Sequence, residues 1–274
     1  MTGGKVHFTE EQSTGLGTLY GRALDARKAR PILGDPTAED AVSRIDYDFG
    51  TFKMRDSMAV SVAVRAKLFD DLVRTYLSAH PDATVLHLGC GMDSRVFRID
   101  PPPTVRWFDV DYPDVIALRE AVYPYGDRPG YTTIGSSVTD PDWLARVPAD
   151  KPALVVAEGL TMYLDPAEGR ALLRALVAHF PSGEMIFDVF SGLAIKLQKT
   201  NPVVRRTNAT LRWGIDDPRE LEPLGLTVVD RRLAAEMIPD SARAVLPASY
   251  RFQFALLKVL PMFRTVAQLV HVSF

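Results

Sequence analysis

Cysteine is nearly absent from this chain: Cys90 is the single one in 274 residues. An internal disulfide is thereby excluded, and with no C-x-x-C pair and no cluster of His and Cys the sequence offers no zinc site, so no metal is expected. Neither sign of charge is in excess, since 34 acids stand against 32 lysines and arginines for a formal net charge of −2. No Lys/Arg tract breaks that balance, and nucleic acid, which a basic field attracts, is not an expected partner. No apolar run approaches the length of a membrane span. The opening MTGGKVHFTEEQ lacks the apolar core of a secretory signal, so a cytoplasmic location is the default expectation. Internal repeats and low-complexity linkers are missing too, and a second lobe would have to be a cap rather than an independent domain.

What is present is ordinary core-forming material, 47% apolar and 24% charged, enough for one large domain with an added cap. From about Thr9 to His80 the apolar spacing is helical, with candidate helices over Gly17–Lys28 and Arg55–Ala79. Strand-like and helix-like segments then alternate. Thr84–Leu88, Val105–Val110, Tyr131–Ile134, Ala153–Ala157 and Met185–Val189 read as strands, and Pro113–Tyr123 and Pro166–Phe180 as helices. Such alternation predicts a mostly parallel sheet covered on both faces. Towards the C-terminus, Leu226–Arg231 reads as a sixth strand, Ser241–Leu260 as a helix and Arg264–Phe274 as a closing strand. The expected division is a helical cap or lid over residues 1–80, of which the part up to about Phe52, with Gly15, Gly17, Gly21 and Gly34, has little core of its own and acts as a mobile lid, and an α/β core over 81–274 with a cap insertion near 190–215.

The stretch VLHLGCGMDSR is a strand running into a glycine turn. A dinucleotide fingerprint needs a third small residue where the helix meets the pyrophosphate; here Ser94 stands in that place, and the neighbouring Asp93 would repel a phosphate. The loop reads as one for a nucleoside without phosphates, although two glycines are also what a bare strand-to-helix turn uses for positive φ. The second strand ends in Asp109 and Asp111, and Asp111, 22 positions after Gly89, suits a ribose diol, or a solvated turn before Pro113. Glu158 follows five apolar residues at the end of the fourth strand, where an unpaired carboxylate is costly; it reads as a ligand or a network residue. None of the five histidines stands in a loop expected to meet a reacting group: His87 lies within the first strand, His179 on a helix, and His7, His80 and His271 at element ends or termini.

Taken in order, RAKLFDDLVR, VLHLGCGMDSRVFRID, WFDVDYPDVIALR, IGSSVTDPDWL, AEGLTMYLDPAEGRALL and MIFDVFS resemble the leucine carboxyl methyltransferase family, in particular its bacterial branch of natural-product O-methyltransferases. The resemblance implies a class I methyltransferase-like fold, a doubly wound, mostly parallel seven-stranded sheet with an N-terminal helical cap, and S-adenosyl-L-methionine as cofactor. It places Arg65 on the methionine carboxylate, Gly89 with Cys90 and Gly91 in the cofactor loop, Asp111 on the ribose and Glu158 on the methionyl amine. Ser137 and Val138 stand where some members carry Asp-Leu at the adenine. A further basic residue of the family pocket is placed at Arg22, with Arg27 and Lys28 as rivals. Met162 and Tyr163 are candidates for the acceptor wall, and Arg205, Arg206 and Arg212 either meet an acidic substrate or form a solvated face. The expected reaction is O-methylation of a carboxylate on a small polyketide-like molecule, which needs positioning and no general base. Alternatives are a phenol, served by Tyr163 or Asp188 as base, and a peptide or protein C-terminus. Further off lie an NAD-dependent oxidoreductase and a noncatalytic binding protein.

Overall fold

The computed structural model describes residues 10–123, 128–198, 210–252 and 265–274. Seven strands form one sheet in the order β3-β2-β1-β4-β5-β7-β6. They span β1 Thr84–Leu88, β2 Arg106–Asp111, β3 Tyr131–Gly135, β4 Ala153–Ala157, β5 Gly183–Phe190, β6 Thr227–Leu233 and β7 Ala267–Ser273. The first five run parallel and β7 is inserted antiparallel between β5 and β6. This is the doubly wound class I methyltransferase-like sheet.

Central strands β1 and β4 are buried at every position, as a strand covered on both faces must be. Successive residues feed opposite layers. Leu86, Leu88 and Val155 pack with Leu172 and Leu176 of one helix, α6 Pro166–His179, while Val85, Leu154 and Val156 pack with Leu68, Phe69 and Val73 of another, α3 Asp56–Ala79. Further α-helices among the described residues include α1 Glu10–Ala26, α2 Pro36–Arg44, α4 Arg95–Ile99, α5 Pro113–Val122, α7 Gly192–Lys196 and α8 Asp240–Arg243. Pro113 and Pro166 begin α5 and α6, where a missing N–H costs nothing. Strand order reverses at β1 and β4, so a cleft opens beyond their carboxyl ends, where open α/β sheets bind ligands.

Three sequence expectations are corrected. The N-terminal layer has a core of its own, since Leu16, Leu19, Ala23, Ala38, Ala41 and Phe49 pack with Met92, Val122 and Tyr123. Its glycines serve close packing: a side chain at Gly21 would meet Val62 at 3.2 Å. Second, Asp35 caps a helix that periodicity missed, accepting from the N–H of Ala38 at the start of α2. Third, the single helix expected over Ser241–Leu260 is interrupted after α8 and resumes at 248–252, because Pro247 disfavours helical backbone before it; the rest of that segment, and Arg264, lie outside the described residues. Of the insertion near 190–215, α7 and residues 210–215 are described. Arg205 and Arg206 fall outside.

Candidate active site

The cleft is a cavity of about 640 Å³ whose lining runs from the glycine loop, through the ends of β2 and β4, to the 161–164 turn. Gly89 and Gly91 have φ of 59° and 48°, left-handed values that disfavour a side chain. A Cβ on Gly89 would also lie 2.9 Å from Leu160 Cδ1. The N–H of Gly89 donates to the Val110 carbonyl at 2.8 Å, and that of Gly91 to Asp111 Oδ2 at 2.7 Å. Loop and acid are thus one unit. Asp111 Oδ1 accepts from its neighbour's N–H, Tyr112, at 2.7 Å. Burial pushes the Asp111 carboxyl above its ordinary range, against the pull of these two backbone donors.

Opposite stands a cluster of paired charges. Arg65, from α3, donates through Nε to Glu158 Oε1 at 2.8 Å and through Nη1 to Asp188 Oδ2 at 3.2 Å. Arg95 reaches Glu158 Oε2 through Nη2 and Asp70 through Nε at 2.9 Å. Burial opposes the charge on Glu158, but Arg65 and Arg95 outweigh it and hold the carboxyl below its ordinary range. The same balance holds Asp93 well below, through Arg95, Arg98 and Arg22. Asp93 is therefore a partnered member of a network, not a free anion guarding the loop, and the expectation that it repels a phosphate loses its ground. Arg98 extends the network to Asp70 and Asp35, and Asp35 also accepts from Ser94 Oγ.

The other expected residues distribute unevenly. Cys90, Ser137, Val138, Met162 and Tyr163 all line the cavity; burial raises the Cys90 thiol well above its ordinary value, so it is inert there. Arg22 lines the cavity and is buried, whereas Arg27 is paired with Glu39 and Lys28 with Asp56, away from it. Arg22 donates through Nη2 to the Met92 carbonyl at 2.7 Å, and its buried Nε has no hydrogen-bond partner. Asp109 does not face the cleft. It is a core acid accepting from Trp107 Nε1, Tyr131 Oη and Arg119. Asp188 is buried between Arg65 and the N–H of Gly159, 2.6 Å away, which removes it as a free base.

His87 is the opposite surprise, since it lines the cavity floor. Its Nδ1 lies 3.1 Å from Asp109 Oδ1 and its Nε2 3.1 Å from Arg95 Nη1. A guanidinium only donates, so Nε2 accepts from Arg95, and both ring nitrogens are occupied. Arg95, Arg98 and Asp70, which sequence reading missed, hold this floor. Their only signal was the cost of burying so many charges unless they pair.

The donor set fits S-adenosylmethionine. Asp111 beside the glycine loop matches a diol, Glu158 and Arg65 match an ammonium and a carboxylate, and the orphan Nε of buried Arg22 leaves one further donor. The guanidiniums of Arg95 and Arg98, just after the loop, are turned to carboxylates, so among the described residues no cation cluster awaits a phosphate at the glycine turn.

Comparison with known proteins agrees. The leucine carboxyl methyltransferase family model matches residues 15–177. The tetracenomycin polyketide synthesis O-methyltransferase TcmP of Streptomyces glaucescens is 49% identical over 220 residues, covering 80% of this chain and 81% of the relative. The S-adenosyl-L-methionine-dependent methyltransferase dpfgK of Gibberella zeae is 38% identical over 238 residues, 80% of each chain. A DUF574 family protein of Streptomyces avermitilis shares the fold with a TM-score of 0.58 at 13% identity, over 94% of this chain and 96% of that one. Fold, cleft and relatives converge: the chain belongs to the leucine carboxyl methyltransferase family and is an S-adenosylmethionine-dependent methyltransferase.

Proposed function

We propose that the enzyme converts a carboxylate of a small, polyketide-like molecule into its methyl ester. One observation carries this reading: the cavity offers a proton acceptor poorly. Among the described lining residues, His87 has both nitrogens engaged, Glu158 and Asp93 are ion-paired, Asp111 is tied to two N–H groups, and the remaining carboxylate, Glu168, is exposed at the rim. A phenol, with a pKa near 10, asks for a base, whereas a carboxylate is already ionised at neutral pH. The relative named for tetracenomycin polyketide synthesis supports an acceptor of that chemical kind.

S-adenosylmethionine, when bound, supplies a methyl group on a sulfonium with a good, neutral leaving group. The chain's residues supply position. Asp111 takes the ribose hydroxyls with the lone pairs its two backbone contacts leave. Ser137 and Val138 meet the adenine, Glu158 the ammonium, and Arg65 and Arg22 the carboxylate. Because Nε and Nη1 of Arg65 are committed to Glu158 and Asp188, its Nη2, unengaged among the described residues, forms the grip. Met162, Tyr163 and Leu160 wall the acceptor side and exclude water.

The test is a methyl-labelled assay over a panel of aromatic polyketide acids, with the product treated with mild alkali. A methyl ester releases its label, and kcat should stay flat from about pH 6.5 to 9. A product that survives alkali is an aryl ether and overturns the carboxylate reading. An enzyme that labels only peptides with a free C-terminus overturns the small-molecule one.

A further inference from the structure

Arg212 is held over the cavity without a partner among the described residues. Its backbone is pinned on every side. Gln198 grips the backbone of the preceding Leu211 twice, at 3.0 and 2.8 Å, the N–H of Arg212 donates to the Met162 carbonyl at 2.8 Å, and that of Ile215 to the Phe190 carbonyl at 2.8 Å. Below it Leu211 packs with Met162, Tyr163 and Phe190. Arg212 is solvent-exposed and lines the cavity next to Met162, and among the described residues its guanidinium forms no hydrogen bond or ion pair. The other described arginines lining the cavity are ion-paired, Arg65 with Glu158 and Asp188 and Arg22 with Asp35 and Asp93, and in the reading above their remaining donors serve the cofactor carboxylate. One cation on a pinned backbone, unmatched among the described residues, thus stands at the solvent-facing edge of the cavity beside Met162 and Phe190. An anionic ligand is its natural complement.

We propose that Arg212 recognises the carboxylate of the acceptor and thereby separates substrate from product by charge. The proposal rests on the carboxylate reading above. One carboxylate oxygen accepts from the guanidinium while the other directs a lone pair inward. That oxygen forms the new bond to the methyl carbon, and the carbon–sulfur pair returns to sulfur, so a carboxylate and a sulfonium become a neutral ester and a neutral thioether. No proton moves. The ester no longer attracts Arg212, so product leaves a site that held the substrate. Glu168, also on the lining, lies in the first turn of α6 and adds a like charge that disfavours a second acidic group on the acceptor.

The probes are 1-naphthoate and its neutral product-like partner, methyl 1-naphthoate, titrated calorimetrically into the full chain saturated with S-adenosylhomocysteine, so that no turnover occurs. The wild type should bind naphthoate more tightly than the ester by about tenfold, the scale of one partly exposed charged hydrogen bond. Arg212→Gln should weaken naphthoate by that factor and leave the ester unchanged, Arg212→Lys should keep part of the preference, and Glu168→Gln should tighten naphthoate only. S-adenosylhomocysteine affinity should be the same in all, which shows that each variant is folded. A wild type without preference for naphthoate, or an Arg212→Gln variant that weakens both probes equally or neither, overturns the assignment. An alkali-stable product in the earlier assay would instead sink the carboxylate reading, whatever these titrations show.

Discussion

Gly169 in α6 permits the sharpest quantitative test. It is buried, and a Cβ built on it would lie 2.1 Å from Cζ3 and 2.5 Å from Cε3 of Trp213. Ordinary contact begins near 3.4 Å, so an alanine there must drive the indole back by about 1.3 Å. Alanine for glycine inside a helix gains about 1 kcal/mol. Overpacking costs about 1–3 kcal/mol, and a collision this close with a ring belongs at the upper end. The net expectation for Gly169→Ala is a loss of roughly 1–2 kcal/mol, a fall in Tm of roughly 2–8 °C for a chain of this size. Because Trp213 adjoins Arg212 and its backbone N–H donates to the Met162 carbonyl at 3.3 Å, the displacement should weaken acceptor binding while S-adenosylhomocysteine binding is spared. Differential scanning calorimetry of a double-mutant cycle with Trp213→Leu isolates the collision. Once the indole has been replaced, the alanine should cost nothing, and an equal loss with and without the indole would refute the packing argument.

Asp111→Ala should weaken S-adenosylhomocysteine binding by about 1.5–3 kcal/mol, the worth of hydrogen bonds to a charged group, and unchanged calorimetric affinity would remove the ribose assignment. Since burial raises the Asp111 carboxyl, that affinity should also begin to fall with decreasing pH before an ordinary aspartate titrates, a shift that pH-resolved titration would detect. Asp109 behaves oppositely. Despite burial, Arg119, with His87 and Tyr131, holds it below the ordinary 3.8. The stability it confers is present above that value and lost progressively as pH falls below it towards the depressed native value, so Asp109→Asn should lower Tm at neutral pH and flatten its decline below about pH 4. Arg65→Lys should lose cofactor affinity, because a point-like ammonium cannot reproduce the spread of a planar guanidinium that reaches Glu158, Asp188 and a ligand from three separate nitrogens. Equal affinities by calorimetry would count against that role.

The strands were legible because short continuous apolar runs and the glycine turn are local signals: β1 and β4 begin and end where expected, and the other five differ at one or both ends by one to three residues. Asp111 and Glu158 were legible for the same reason, each closing a strand. What escaped was long-range pairing. Arg95 and Arg98 drew no assignment from the sequence, yet they neutralise Asp70, from α3, and Asp93. Asp109, two places from Asp111, shares its composition but faces inward among Arg119, Trp107 and Tyr131; strand alternation cannot say which carboxylate is matched by a buried arginine. The glycines of α1 misled for a steric reason, since they mark close helix contact with Val62 and Phe52 rather than slack chain.

The ionic network bears on how such an enzyme can be re-engineered. Acceptor range invites exchange of the N-terminal helical layer between relatives, with a seam near residue 80. Yet Asp35 and Asp70 on one side of that seam are the partners of Arg95 and Arg98 on the other, and Arg65 is the partner of Glu158. A graft that carries the helices without matching arginines strands buried charges, each at a cost of several kcal/mol. The heritable module is therefore a charge-matched set scattered along the sequence from Arg22 to Asp188, and chimeras should be cut along that set rather than along the boundary between helices and sheet.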